Sequence, residues 1–136
     1  MRDYTKINAW KLADDLTVTI YEQTRVFPRE ELYGLTSQLR RAASSVPANI
    51  VEGSARETQK DYLHFLYIAR ASLSEAQYFT HLAYRLGYFA EQEAAALQAR
   101  TKQVFACLHG LIQAVAREAD PRSSSTVGSR PVVRSP

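Results

Sequence analysis

Cysteine occurs once, at Cys107, so the chain can form no internal disulfide and offers no cysteine-rich metal cage. Glycine and proline are scarce too, five of each, and three of the prolines (Pro121, Pro131 and Pro136) fall after residue 120. Before that point little interrupts a helix, which excludes a sandwich or barrel of short strands. No run approaches the roughly 18 apolar residues of a membrane span. The opening Met1-Arg2-Asp3-Tyr4-Thr5-Lys6 lacks the apolar core of a secretory signal, so the expected location is cytoplasmic, with no membrane partner. A charge excess is also missing from the body of the chain. All 14 Asp+Glu lie within residues 1–120, as do all but three of the 17 Lys+Arg. The formal net charge of +3 therefore resides in Arg122, Arg130 and Arg134 of the tail. Net charge acts through its placement, and composition alone gives no basic domain.

What the sequence has is helical periodicity. Its hydrophobic content of 46% is ordinary for a globular protein, and 136 residues fit one domain. Trp10, Ala13, Leu16, Ile20 and Phe27 mark a first helix from about Asn8 to Thr24, stopped by Pro28. A second opens near Glu30-Glu31, whose charges suit a helix N-terminus. Its stripe is Leu35, Leu39, Ala42/Ala43, Val46 and Ile50, and it ends at Gly53-Ser54. Pro47 lies inside that stripe and predicts a kink or break, with Ser44 and Ser45 placed to satisfy the freed groups. Thr58 caps a third helix of roughly 40 Å running to Leu86, closed by Gly87. The fourth, from about Glu91 to Glu118, carries Ala94, Leu97, Thr101, Val104, Leu108, Leu111 and Val115 at bundle spacing.

Four apolar stripes joined by short connections give an all-α, antiparallel up-down four-helix bundle over residues 1–120. Residues 121–136, rich in Ser, Pro and Arg, read as a disordered tail.

The third helix has more apolar surface than a bundle needs. Tyr62, Phe65, Leu66, Ile68, Ala69, Leu73, Ala76, Phe79, Ala83 and Leu86 cover an arc of about 160°. On the opposite side stand Tyr67, Tyr78, His64 and His81, amphipathic side chains of a kind enriched at interfaces. Those four are candidates for an oligomer contact, against the plain reading of solvated surface aromatics or a stacking face for nucleic acid.

Chemistry is sparse. A di-iron bundle needs paired Glu-x-x-His repeats, and only Asp61-x-x-His64 comes near. There is no nucleophile elbow, phosphate-binding glycine loop or dinucleotide fingerprint. No catalytic, cofactor or metal residue is expected, and the chain reads as a non-enzyme. Two polar groupings stand out. Arg40, Arg41, Asn49, Glu52 and Glu75 form a candidate network tying the second helix to the third or to a neighbouring chain. Arg40, Arg41 and Arg56 are the alternative, candidate phosphate contacts to nucleic acid.

These residues also carry a family resemblance. Phe27-Pro28-x-Glu30-Glu31-x-Tyr33-Gly34-Leu35-Thr36-Ser37-Gln38-Leu39-Arg40-Arg41-Ala42, then Asn49-Ile50-Val51-Glu52-Gly53 with Arg56, then Phe65-Leu66-x-Ile68-Ala69-x-x-Ser72-Leu73-x-Glu75 follow in order. Together they resemble the bacterial 23S rRNA intervening-sequence protein family, more loosely from about Tyr4 to Arg117. Ala71 stands where that family usually has Gly, Pro47 is an uncommon choice, and nothing after Asp120 matches. The resemblance implies an up-down four-helix bundle assembled as a ring-like homopentamer. It also implies a link to RNA, through the rRNA genes that encode many members. A similar fold is the accessory protein of diversity-generating retroelements, where a basic pentamer engages nucleic acid; the neutral folded part here departs from that. Two expectations follow: a homo-oligomer associated with RNA or DNA through phosphate contacts, or a scaffold that recruits another protein.

Overall fold

The computed structural model describes residues 2–120; the expected disorder of residues 121–136 lies outside them. Four helices appear, α1 (Asn8–Gln23), α2 (Leu35–Ser54), α3 (Gln59–Arg85) and α4 (Glu91–Ala119). Short 3-10 turns lie at Tyr4–Lys6, Thr24–Val26 and Arg29–Glu31, and the described residues contain no strand. Each helix packs on the next, and α4 closes back onto α1. Contacts descend one helix as they ascend its neighbour. Thr17 meets Ala43 while Thr24 meets Arg40, and Gln98 meets Gln77 while Glu118 meets Gln59. The result is an antiparallel up-down bundle.

The core is the set of expected stripes, with local changes of register. Leu16, Ile20, Leu39, Val46, Ile50, Leu66, Leu73, Leu97, Val104 and Leu108 are fully buried. In α1, Ala9 is buried and Trp10 only half-buried, its ring edge-on to Tyr4 at 5.0 Å between centroids. In α4, Ile112 takes the inward position and Leu111 lies at the margin. Phe89, beyond the end of α3, joins the core by packing on Phe27 at 4.9 Å.

Helix ends follow local chemistry. The Thr58 hydroxyl accepts the Asp61 amide at 3.1 Å, and Gly87 closes α3 with φ +81°, the left-handed conformation that glycine adopts freely. Gln59 through Arg85 therefore forms one uninterrupted helix. Glu93 accepts the Ala90 amide at 2.9 Å, covering an orphan donor at the start of α4.

Pro47 does not break α2, which runs unbroken from Leu35 to Ser54. The proline deprives the Ala43 carbonyl of its helical donor. The replacement comes from α1, where the Thr17 hydroxyl lies 3.0 Å from Ala43 O and 2.8 Å from Ala13 O. Ser44 and Ser45 point elsewhere: Ser44 donates to Arg41 O, and Ser45 pairs with Ser72 on α3 at 2.8 Å. A partner on another helix thus replaces the local ones expected from sequence.

Thr17→Val should accordingly cost about 1–3 kcal/mol in urea unfolding, because a carbonyl in the α1–α2 seam loses its donor. In a Pro47→Ala background, whose new amide serves Ala43, the same change should cost much less. Equal costs in both backgrounds would show that Thr17 does not compensate for the proline.

Candidate functional site

The connection from α1 to α2 builds a distinct corner. Glu30-Glu31 does not open α2; it lies in the Arg29–Glu31 turn, and α2 starts at Leu35 after Gly34. The reason is the Glu31 carboxylate, which folds forward. One oxygen accepts the Leu35 amide at 3.0 Å and the other accepts the Tyr88 hydroxyl at 2.8 Å. A Cβ on Gly34 would lie 2.7 Å from Glu31 Oε1, so glycine makes room for that cap. Tyr88 and Phe89 also pack on Phe27, with centroids 5.3 and 4.9 Å away. The two connections at this end of the bundle are thereby tied together. The Leu35 amide and the Tyr88 hydroxyl together hold the Glu31 carboxyl below its ordinary value, and the same carboxylate raises the Tyr88 phenol.

On this base sits a group of exposed side chains. Tyr33 is 93% exposed, Val26 79% and Leu32 47%, with Tyr21 beside them at 42%. Arg25, Arg29 and Arg41 are exposed, and Arg40 is half-buried. Arg40 is fixed: its Nε donates to the Thr24 hydroxyl at 2.8 Å, one amino group donates to Tyr21 O at 3.2 Å, and its plane lies over the Tyr21 ring at 4.8 Å. Arg41 donates to Gln38 at 2.9 Å across the surface. The Thr36 hydroxyl is buried without a hydrogen-bond partner. Two adjoining clefts, about 260 and 490 Å³, run between these groups, and Leu32, Thr36 and Arg40 line both.

The arginines expected to act together are divided. Arg56 lies beyond the other end of α2, roughly 24 Å along the helix from Arg40. It pairs with Glu52 at 3.0 Å and covers the Phe65 ring at 4.6 Å. Arg2 anchors the chain there, donating to Ser54 O at 3.2 Å, Arg56 O at 2.7 Å and the Gln59 side chain, over the Tyr62 ring. Its guanidinium caps carbonyls that α2 leaves open.

The candidate Arg–Glu network does not form within the chain. Arg40 turns to α1, Arg41 to Gln38, Asn49 to Ser45, and Glu52 to Arg56. Glu75 is exposed on the single chain, on the side open to solvent or to a neighbouring chain. The α3 candidates do share one outward stripe. His64, Tyr67, Tyr78 and His81 are all exposed, Tyr67 against Arg70 and Tyr78 against His81. Tyr33, Arg25 and Arg29 were not singled out from sequence. The signal for Arg29 and Tyr33 was the span between Pro28 and Gly34, which reads as a connection once Glu30-Glu31 is not taken for a helix start; Arg25 lies in the Thr24–Val26 turn before it. Among the described residues no group of three or more His, Cys, Asp or Glu is arranged to hold a metal, and no helix is long and apolar enough to cross a membrane.

A lowered carboxyl pKa fixes the sign of a pH effect. The contribution of Glu31 is fully present above the ordinary glutamate value of 4.5 and is lost as pH falls through the lower folded value. Glu31→Gln, which keeps an acceptor without the charge, should flatten that acid limb in thermal melts run from neutral pH to about pH 3. An unchanged limb would place the titration elsewhere.

Residues 5–110 match the family described as 23S rRNA-intervening sequence protein. Among solved structures, the chain is similar to a protein of unknown function from the S23 ribosomal protein family of Bacteroides thetaiotaomicron. The TM-score is 0.71 at 19% identity, over 77% of this chain and 95% of the other. At that identity the likeness concerns the fold. No curated protein matches significantly. The match over most of the chain, on the same helices that build the corner, makes this protein a member of the 23S rRNA-intervening sequence protein family.

Proposed function

We propose that the protein is a non-enzymatic, homo-oligomeric bundle that associates with nucleic acid through phosphate contacts. The observation that carries this is the corner between α1 and α2, where Arg25, Arg29 and Arg40 line one cleft and Arg40 and Arg41 the adjoining one. The one ion pair among the described residues is Glu52–Arg56, at the other end of α2. Of the acids at the corner, Glu31 is held by an amide and a phenol, and Glu22 and Glu30 are exposed, so the four arginines outnumber them. No element offers a recognition helix with base-reading side chains, so contacts to phosphate dominate and affinity depends on salt. The family's connection with 23S rRNA genes favours RNA as the partner.

A second reading is a protein-interaction scaffold, favoured by the exposed stripe on α3. Tyr67 and Tyr78 are 43% and 55% exposed, and His64 and His81 are exposed beside them. Such a stripe suits a neighbouring copy or another protein. Oligomer formation serves both readings, since several corners in one assembly multiply a weak contact.

Fluorescence anisotropy with labelled structured RNA, duplex DNA and single strands tests the first reading, with light scattering to give the mass. Binding should weaken steeply with salt. Replacing Arg25, Arg29 and Arg41 together with Gln should reduce the log–log salt slope by about 1 for each arginine that meets a phosphate. These three side chains are exposed, so helicity and mass should not change; Arg40→Gln, by contrast, should lower the thermal midpoint. No binding at about 50 mM salt, where phosphate contacts are strongest, would sink the nucleic-acid reading and leave the scaffold.

A further inference from the structure

The larger of the two corner clefts, about 490 Å³, opens between Tyr21, Tyr33, Thr36, Arg40 and Arg41. Its size is within the range of sites that take small ligands or single residues of a polymer. Its chemistry is more particular. Tyr33 is 93% exposed, so among the described residues almost nothing covers its ring. A ring exposed in this way is open to stacking on both faces, and base stacking tolerates any sequence because every base has a π-face.

The cations beside it are of two kinds. Arg40 is rigid, fixed by Thr24, the Tyr21 carbonyl and the Tyr21 ring, with one terminal amino group left over. Arg41 is exposed and tied by a single bond to Gln38, leaving most of its guanidinium available. Rigid positioning lowers the entropy lost when a phosphate arrives. Adjacent guanidinium groups also argue against a symmetric contact between two copies here. A twofold axis through the cleft would bring Arg40 and Arg41 of both chains together, whereas a head-to-tail ring contact would not and is distinguished by the oligomer mass. The charge complement of this cleft is a polyanion.

The ring also selects the form of nucleic acid. In a duplex the base faces are stacked on one another and closed to a side chain, whereas unpaired bases can splay out onto an aromatic ring. We infer that the corner cleft receives an unpaired nucleotide of a single-stranded segment, its base on Tyr33 and its phosphate on Arg41 and Arg40. This rests on the phosphate-binding reading above and narrows it to a strand type and to a residue outside the arginine set.

The test compares a fluorescein-labelled oligonucleotide as a single strand and as a blunt duplex, with the full-length protein and with Tyr33→Ala, Tyr33→Phe and Arg41→Gln. The single strand should bind more tightly than the duplex. Tyr33→Ala should weaken single-strand binding by about 5- to 150-fold, the span of one base–aromatic stack, and leave duplex binding unchanged. Tyr33→Phe should bind like the unmodified protein, since the ring is kept. Arg41→Gln should weaken both forms and reduce the salt dependence. Tyr33 is almost fully exposed, so folding should survive its loss; circular dichroism checks this.

If Tyr33→Ala binds the single strand unchanged, or weakens strand and duplex equally, the inference is overturned while the phosphate reading stands. If neither form binds the unmodified protein, both fall. If Tyr33→Ala lowers the oligomer mass along with the affinity, the ring is a contact between copies of this chain, and the inference is likewise overturned.

Discussion

The close approach of α2 to α3 is the constraint on which the bundle depends. At Gly53 there is no space for a side chain: a Cβ would lie 2.9 Å from the Tyr62 ring and 3.0 Å from Phe65 Cβ. Farther along, Ser45 meets Ser72, and buried Ala42, Ala43, Ala69 and Ala76 keep both surfaces low. Interiors packed to this density leave no slack for rotation of either helix. Turning α3 to bury Tyr67 and Tyr78 would expose Leu66 and Leu73, so the aromatic stripe must face outward. The same seam directs Pro47 and the Ala43 carbonyl toward α1, where Thr17 supplies the missing donor. A proline that would disrupt an isolated helix becomes tolerable because another helix covers the defect.

At one end of the bundle a different interaction sets the geometry. The Glu31 carboxylate joins three parts of the chain, its own turn, the first amide of α2 and Tyr88 from the connection ahead of α4. Its charge complements the positive end of the α2 dipole. With that negative charge placed inward on its donors, the arginines of the corner face outward beside Tyr33. Arg40 reinforces the arrangement from the other side by holding the last turn of α1. Arg40 therefore holds the fold with all but one amino group, and the adjacent Arg41 stands exposed above it.

What could be read from the sequence was whatever repeats locally. The helical stripes, the Thr58 cap, the Gly87 stop and the end of α2 at Gly53-Ser54 each depend on residues within a turn or two, and the structure has them there. What could not be read depended on partners far away in sequence. The Glu31 cap needs Tyr88, 57 residues on, and Ala43 needs Thr17, 26 residues back. Glu30-Glu31 resembled a helix start because acidic residues favour that position, and only the fold shows Glu31 capping a helix that begins four residues later. Among the candidate site residues, the α3 aromatics followed from the wheel. Tyr33 did not, because a connection has no periodicity to reveal which side chains stay outside. The Arg–Glu network does not form within the chain for a related reason: Arg40, Arg41 and Glu52 each find a partner that the helical stripes do not reveal, and Glu75 is exposed.

Electroneutrality of the folded part weighs less against nucleic-acid association than it first suggests. At physiological salt the Debye length is about 8 Å, whereas a helix the length of α3 extends roughly 40 Å. A phosphate at the α1–α2 corner therefore experiences Arg25, Arg29, Arg40 and Arg41 together with the neighbouring Glu22 and Glu30, while acids at the far end of the bundle, such as Glu118 beside Gln59, are screened from it. Overall charge describes long-range steering, and local placement describes contact. By the same reasoning one corner makes only a few phosphate contacts and binds weakly alone. Useful affinity then requires several corners held at fixed spacing, which is what an assembly through the α3 stripe would supply. The stripe and the corner belong to different elements, so covering one need not consume the other. In this reading the neutral bundle is the frame, and its function depends on how many copies of one small basic corner it presents together.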